Sequence, residues 1–137
     1  MNLVEKLLRT DAKKADELSE AVVLSKKLGK LLGEESAEVR IREIPAKRMN
    51  DLMAMQIDGK GNFDFRKSFD AKALAVAEAM IEPDLKNKEL QEHFGCSTSK
   101  DLAIKLFGNE LTSISDEVAK LSGMEDEIEK VDEEVKN

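Results

Sequence analysis

The residues able to do chemistry are few. One histidine, His93, stands between Glu92 and Phe94, and one cysteine, Cys96, follows it across Gly95. Cys96 precedes a segment that reads as a helix, a setting that can lower a thiol pKa. Nothing adjacent supplies a base, so a solvated histidine and an unreactive thiol are the simpler reading. Asp58-Gly-Lys-Gly-Asn-Phe-Asp-Phe resembles a calcium-binding EF-hand loop, with Gly61 at the glycine position and Asp64 three residues on. Its remaining ligand positions fall on Gln56, Lys60 and Lys67. A calcium site needs several oxygen ligands, carboxylates prominent among them, so the loop reads as a glycine-rich turn. GxGxxG, P-loop and GxSxG patterns are absent from the sequence. The expectation is a chain that is not an enzyme, with no catalytic residue, no metal and no cofactor.

A second kind of chemistry is base reading. Residues 88–107, KELQEHFGCSTSKDLAIKLF, have the order of a helix-turn-helix: helix, glycine turn, capped second helix. Such a motif places a small buried residue where this chain has Gln91, and a branched apolar residue where it has Asp101. The second helix offers Ser97, Ser99, Lys100 and Lys105, with no Arg, Asn or Gln for base edges. An ordinary pair of antiparallel helices explains the same pattern, and a DNA-binding regulator is the alternative function.

The elements that must carry these residues are mostly helical. The chain has 137 residues, enough for one domain with its own core, and no run long and apolar enough for a membrane span. Residues 2–33 read as helical, with Ala21-Val-Val-Leu-Ser also able to form a strand. Ala37–Ile44 alternates apolar and charged residues, the period of a half-buried strand. Pro45 ends it and opens a helix over residues 46–56 carrying Met49, Leu52, Met53 and Gln56 on one face; core packing is the simpler role for its methionines Met49, Met53 and Met55. Phe63 and Phe65 suit a very short strand. Residues 71–81 read as a buried, alanine-rich helix closed by Pro83, and helices follow over 86–94, 98–107 and 109–121. The fold class expected is α+β, mainly α-helical, with a minor β element over residues 1–123 and a flexible acidic tail over residues 124–137.

Net charge locates that tail. The whole chain carries −7. Residues 124–137, MEDEIEKVDEEVKN, hold seven acids against two lysines, so the tail alone contributes −5 and the other residues only −2. An acidic chain is a poor non-specific ligand for nucleic acid. The tail also continues an apolar stripe. Leu111, Ile114, Val118 and Leu121 recur at helical spacing, and Met124, Ile128, Val131 and Val135 take the stripe on after a shift at Gly123. These eight residues are the candidate partner-binding seam, able to add an amphipathic helix to a helical partner.

The order of features resembles a known family. EVRIREIPAKRMNDLMAMQ leads to a helix running into Ile81-Glu-Pro-Asp-Leu. The Glu-Leu, His-Phe-Gly, Asp-Leu and Lys-Leu-Phe hairpin follows, and then Glu110, Ile114, Val118 and Leu121-Ser-Gly. Over residues 10–123 this is similar to the XkdN-like tail assembly chaperones of tailed phages and PBSX-type prophages. The resemblance implies a non-enzymatic protein of the bacterial host cytoplasm. It implies that several copies bind the tape measure protein before the tail tube grows and are absent from the mature virion; tube subunits, and self-association with other copies of this chain, are the further partner expectations. It implies neither nucleic acid nor membrane as a partner. An adaptor without any phage link is the remaining reading.

Overall fold

The computed structural model describes residues 1–124. The expectations for Ile128, Val131, Val135 and the tail beyond Met124 lie outside the described residues.

The first helix, α1 (Leu3–Leu8), starts where the Asn2 side chain accepts the Glu5 amide at 2.9 Å, and none of its residues is buried. A 3-10 turn over Ala12–Asp16 follows, capped by Asp11. Residues 20–25 then form a strand, β1 (Glu20–Ser25), so the helical reading of residues 2–33 is corrected here. The ambiguous segment Ala21-Val-Val-Leu-Ser resolves to a strand because its alternate residues pack inward against α7 while β2 lies alongside. Ser25 ends it. Its buried hydroxyl accepts the Leu28 amide at 3.0 Å and starts α2 (Lys26–Leu31). Gly33, at φ 74°, ends α2; the Glu34 amide reaches back to the Gly29 carbonyl at 2.8 Å and the Gly33 amide to Lys30 at 3.2 Å, the paired bonds of a Schellman stop.

The strand β2 (Ala37–Arg42) buries Ala37, Val39 and Ile41 and exposes Glu38, Arg40 and Arg42, as its alternation requires. It is the middle strand of an antiparallel sheet ordered β1-β2-β3, with Val23 opposite Val39. After Pro45 comes α3 (Ala46–Ala54), which buries Met49 and Leu52. Asp64 caps α4 (Phe65–Ala79), accepting the Arg66 and Lys67 amides. The buried face of α4 is built from Ser68, Val76 and five alanines. Short side chains there let α3, α6 and α7 all lie against one helix. The apolar run continues past α4 but changes form: Met80–Glu82 is β3, paired with β2, where the sequence reading extends the helix to Ile81. Periodicity alone does not separate a helix end from a short buried strand when every residue is apolar.

The last described elements are α5 (Lys88–His93), α6 (Ser99–Phe107), a 3-10 turn at Gly108–Glu110 and α7 (Leu111–Leu121). The inner face of the sheet meets α4 and α7, and Leu85, Leu102, Leu106 and Phe107 complete the core. The architecture is α+β and mainly helical.

Candidate partner-binding surface

The seam proposed from sequence divides once it is placed. Leu111, Ile114 and Val118 are wholly buried and belong to the core. Their helix packs against α4, β1 and β2, which is why their spacing is so regular. The expectation that they face a partner is corrected. Leu121 is half-buried against the same core. Met124 is also half-buried, and with Met49, Leu52, Met53, Ala75 and Ala119 it lines an open apolar cleft of about 290 Å³ between α3, α4 and α7. Only this end of the described seam reaches a surface feature.

The exposed apolar side chains lie elsewhere. Among the described residues the large ones fall into two stretches of chain. One is residues 1–32: Leu3, Val4, Leu7 and Leu8 on α1, Val22 and Leu24 on β1, and Leu31 and Leu32 at the end of α2. The other is residues 53–69: Met53, Met55, Ile57, Phe63, Phe65 and Phe69. Leu8 is 80% exposed and Phe65 82%. Phe63 and Phe65 meet edge to face, with ring centres 5.0 Å apart. Of the three clustered methionines only Met49 is core; Met53 and Met55 are exposed, so core packing is not the role of all three. Leu31 and Leu32 also line a groove of about 540 Å³ with Leu28, Leu90, Phe94 and Leu106, rimmed by Glu38, Glu82 and His93. The signal for this surface is present in the sequence as the short stripe Leu3, Val4, Leu7, Leu8. What sequence does not give is that, among the described residues, none of the stripe is buried.

The remaining candidates resolve into structure. Asp58 Oδ1 accepts the amides of Lys60 at 2.8 Å and Asn62 at 3.0 Å, and Ile57 bridges Phe63 across the loop. These amides, Asn62 first and Lys60 second, hold the Asp58 carboxyl below its usual pKa. The carboxylate shapes its own turn, and among the described residues no group of three or more His, Cys, Asp or Glu could hold a metal. Arg48 grips Glu78 with two nitrogens, at 2.7 and 2.9 Å, tying α3 to α4. That hydrogen bond, and then the glutamate's charge, raise the Arg48 pKa.

The α5–α6 pair has the helix, turn and helix of the base-reading motif, but its details serve packing. Gln91 is buried and donates to the Leu85 carbonyl at 2.8 Å and to Ser99 Oγ at 3.3 Å. It holds the turn together from inside, which explains a long polar residue at a small-residue position. Gly95, at φ 71°, ends α5, with Cys96 N bonding Gln91 O at 2.8 Å. The Cys96 thiol donates to the Phe94 carbonyl, and His93 is exposed. On α6, Asp101 is exposed and Lys100 lies 3.6 Å from Asp70, a mixed-charge face rather than a basic one. The two segments that carry the family resemblance are also scaffold. In Ile81-Glu-Pro-Asp-Leu, Leu85 is wholly buried. In Leu121-Ser-Gly, Ser122 Oγ accepts the Ile44 amide at 3.0 Å and donates to Val118 O at 2.8 Å, fastening the end of α7 to the end of β2.

The sequence matches the family described as phage XkdN-like tail assembly chaperone protein over residues 4–136, and the chain belongs to that family. It is a family of chaperones and not a known enzyme class. The fold is similar to that of the crystal structure of the protein YqbN, at 16% identity, a TM-score of 0.53, and coverage of 78% of this chain and 88% of that one. Among curated proteins none matches. No described helix is long and apolar enough to cross a membrane.

Proposed function

We propose that this chain binds the tape measure protein in the host cytoplasm and shields its apolar helices until the tail tube encloses them, leaving before the virion matures. The observation that carries the reading is the exposed apolar surface of residues 1–32 and 53–69. Leu3, Val4, Leu7 and Leu8 gather on one short helix, and apolar surface gathered in this way marks an interaction site. The groove lined by Leu28, Leu31, Leu32, Leu90, Phe94 and Leu106 has the apolar floor and polar rim that accept one face of an amphipathic helix. Two exposed methionines, Met53 and Met55, give the second surface side chains that adapt to irregular partners. Release requires modest affinity, and charged residues such as Glu38 and Glu82 beside the groove limit it. Tube subunits are a second partner in this reading.

Co-expression tests it. The tape measure protein should stay in the soluble fraction with this chain and precipitate without it. The double variant Leu31→Ser/Leu32→Ser should keep its melting temperature and lose most of that effect. Equal precipitation with and without the wild-type chain refutes the proposal.

A further inference from the structure

Among the described residues the far edge of β1 is open. In the sheet order β1-β2-β3, one side of β1 meets β2, and among the described residues no strand pairs with the other. The register shows which groups lie there. Glu43 N donates to Ser19 O at 2.8 Å and the Ser19 amide donates to the Glu43 carboxylate at 2.8 Å, so Ser19 turns its backbone groups to the β2 side just ahead of the ladder. Antiparallel ladders alternate, so Ala21, Val23 and Ser25 direct their amides and carbonyls to β2. Glu20, Val22 and Leu24 therefore direct theirs outward. The side chains of Val22 and Leu24 also stand on the solvent face, 59% and 62% exposed. Proteins normally guard such an edge with a proline, a lysine, a bulge or a covering helix. Glu20-Ala-Val-Val-Leu-Ser contains no proline or lysine, and the sheet's one irregularity lies between β2 and β3.

We propose that β1 pairs antiparallel with β1 of a second copy, about a two-fold axis at Val22, joining two three-stranded sheets into one of six strands. The strand is self-complementary in that direction. Its outward-facing residues fall into hydrogen-bonded register, with Val22 opposite Val22 and Glu20 opposite Leu24 of the second copy. The valines form a β-branched cross-strand pair on the solvent face. Charge selects the same orientation. Glu17 and Glu20 mark the start of the strand, and Lys26 follows its end. Antiparallel pairing brings the Glu20 end of one strand to the Lys26 end of the other, whereas parallel pairing sets like charge beside like. Arg40, 3.4 Å from Glu20, joins that ion cluster from the neighbouring strand. A second copy fits this edge better than an unrelated extended peptide, which would have to reproduce both the apolar centre and the opposed charged ends.

Sedimentation velocity and amide hydrogen exchange on the full chain test the pairing. The mass should rise from one copy towards two with concentration. Over the same range the amides of Glu20, Val22 and Leu24 should slow by on the order of tenfold or more, while those of Ala21, Val23 and Ser25 stay protected throughout. Val22→Pro removes an edge donor without touching the β1–β2 ladder, and should leave a monomer with its melting transition intact. Val22→Lys gives the same reading if proline disturbs the strand. A chain that stays monomeric into the hundreds of micromolar overturns the proposal. So does a dimer in which the three outward amides still exchange fast, since its interface lies elsewhere. A monomer in which they are slow at every dilution overturns it too, because a segment of the same chain then covers the edge.

Discussion

Glycine 29 lies inside α2, where helix propensity and packing give opposite forecasts. Replacing a mid-helix glycine by alanine ordinarily gains about 0.8–1.0 kcal/mol. At Gly29, however, an added Cβ would sit 2.4 Å from the Ser36 Cα and 2.7 Å from the Ser36 nitrogen and carbonyl carbon. These are backbone atoms at the entry to β2, and no rotamer change moves them. Restoring ordinary contact at 3.4 Å requires α2 and that entry to separate by about 1 Å. Forced expansion of a packed site costs about 1–3 kcal/mol, and a backbone–backbone contact belongs at the upper end. The net expectation for Gly29→Ala is a loss of about 2 kcal/mol, or a fall in Tm of about 6–8 °C for a chain of this length. Thermal melting by circular dichroism measures it. Gly59→Ala, with nothing within 4 Å of its Cβ and no positive φ, is the control and should melt within a degree or so of wild type. A Gly29→Ala variant that melts at or above the wild-type temperature would show that propensity wins and that the close approach of α2 to Ser36 is wrong.

Ile114→Ala should cost about 2–5 kcal/mol in urea unfolding, as expected of a wholly buried residue; a loss under 1 kcal/mol would return it to the surface. Gln91→Ala leaves the buried Leu85 carbonyl without its donor and should cost about 1–3 kcal/mol, read as a shift in urea midpoint at unchanged slope. The Arg48–Glu78 pair is partly exposed, so a double-mutant cycle should give a coupling of at most about 1 kcal/mol that shrinks in high salt. Asp58 has a lowered folded pKa, so its loop contacts are complete above the ordinary carboxylate range and fade as pH falls through the folded value. A carboxyl-carbon NMR titration should place the Asp58 midpoint below the ordinary aspartate range, and an unshifted midpoint would remove the role of the Asn62 and Lys60 amides.

Much of this fold is legible from spacing. Ala37–Arg42 alternates cleanly because one face meets solvent, and it is a strand. The alanines of α4 announce a helix that neighbours approach closely. The Gly95 stop and the Thr98 cap, whose side chain accepts the Asp101 amide, place the α5–α6 turn to within a residue or two. Legibility fails where a residue's surroundings come from distant sequence. Val22 and Val23 suit a helix or a strand equally until β2 lies beside them. Met80 and Ile81 continue an apolar run that β2 converts to a strand. The candidate surface was harder still. Leu111, Ile114 and Val118 have the period of an amphipathic face, and that period is identical whether the face meets a partner or the protein's own core. Leu3, Val4, Leu7 and Leu8 have it too, and only the fold separates the two sets.

The position of α7 bears on how the chain is made. Leu111, Ile114 and Val118 are among the last described residues to be synthesised, yet they cover the inner face of a sheet whose first strand is complete at Ser25. At about 5–20 residues per second, roughly 5–20 s of translation separate the strand from its cover. During that interval Val23, Val39 and Ile41 wait without α7. A chain terminated before Val118 would therefore not be a smaller working protein, because it would lack one wall of the only core described. Among the described residues α7 closes the core, so that core cannot be complete until α7 has been made.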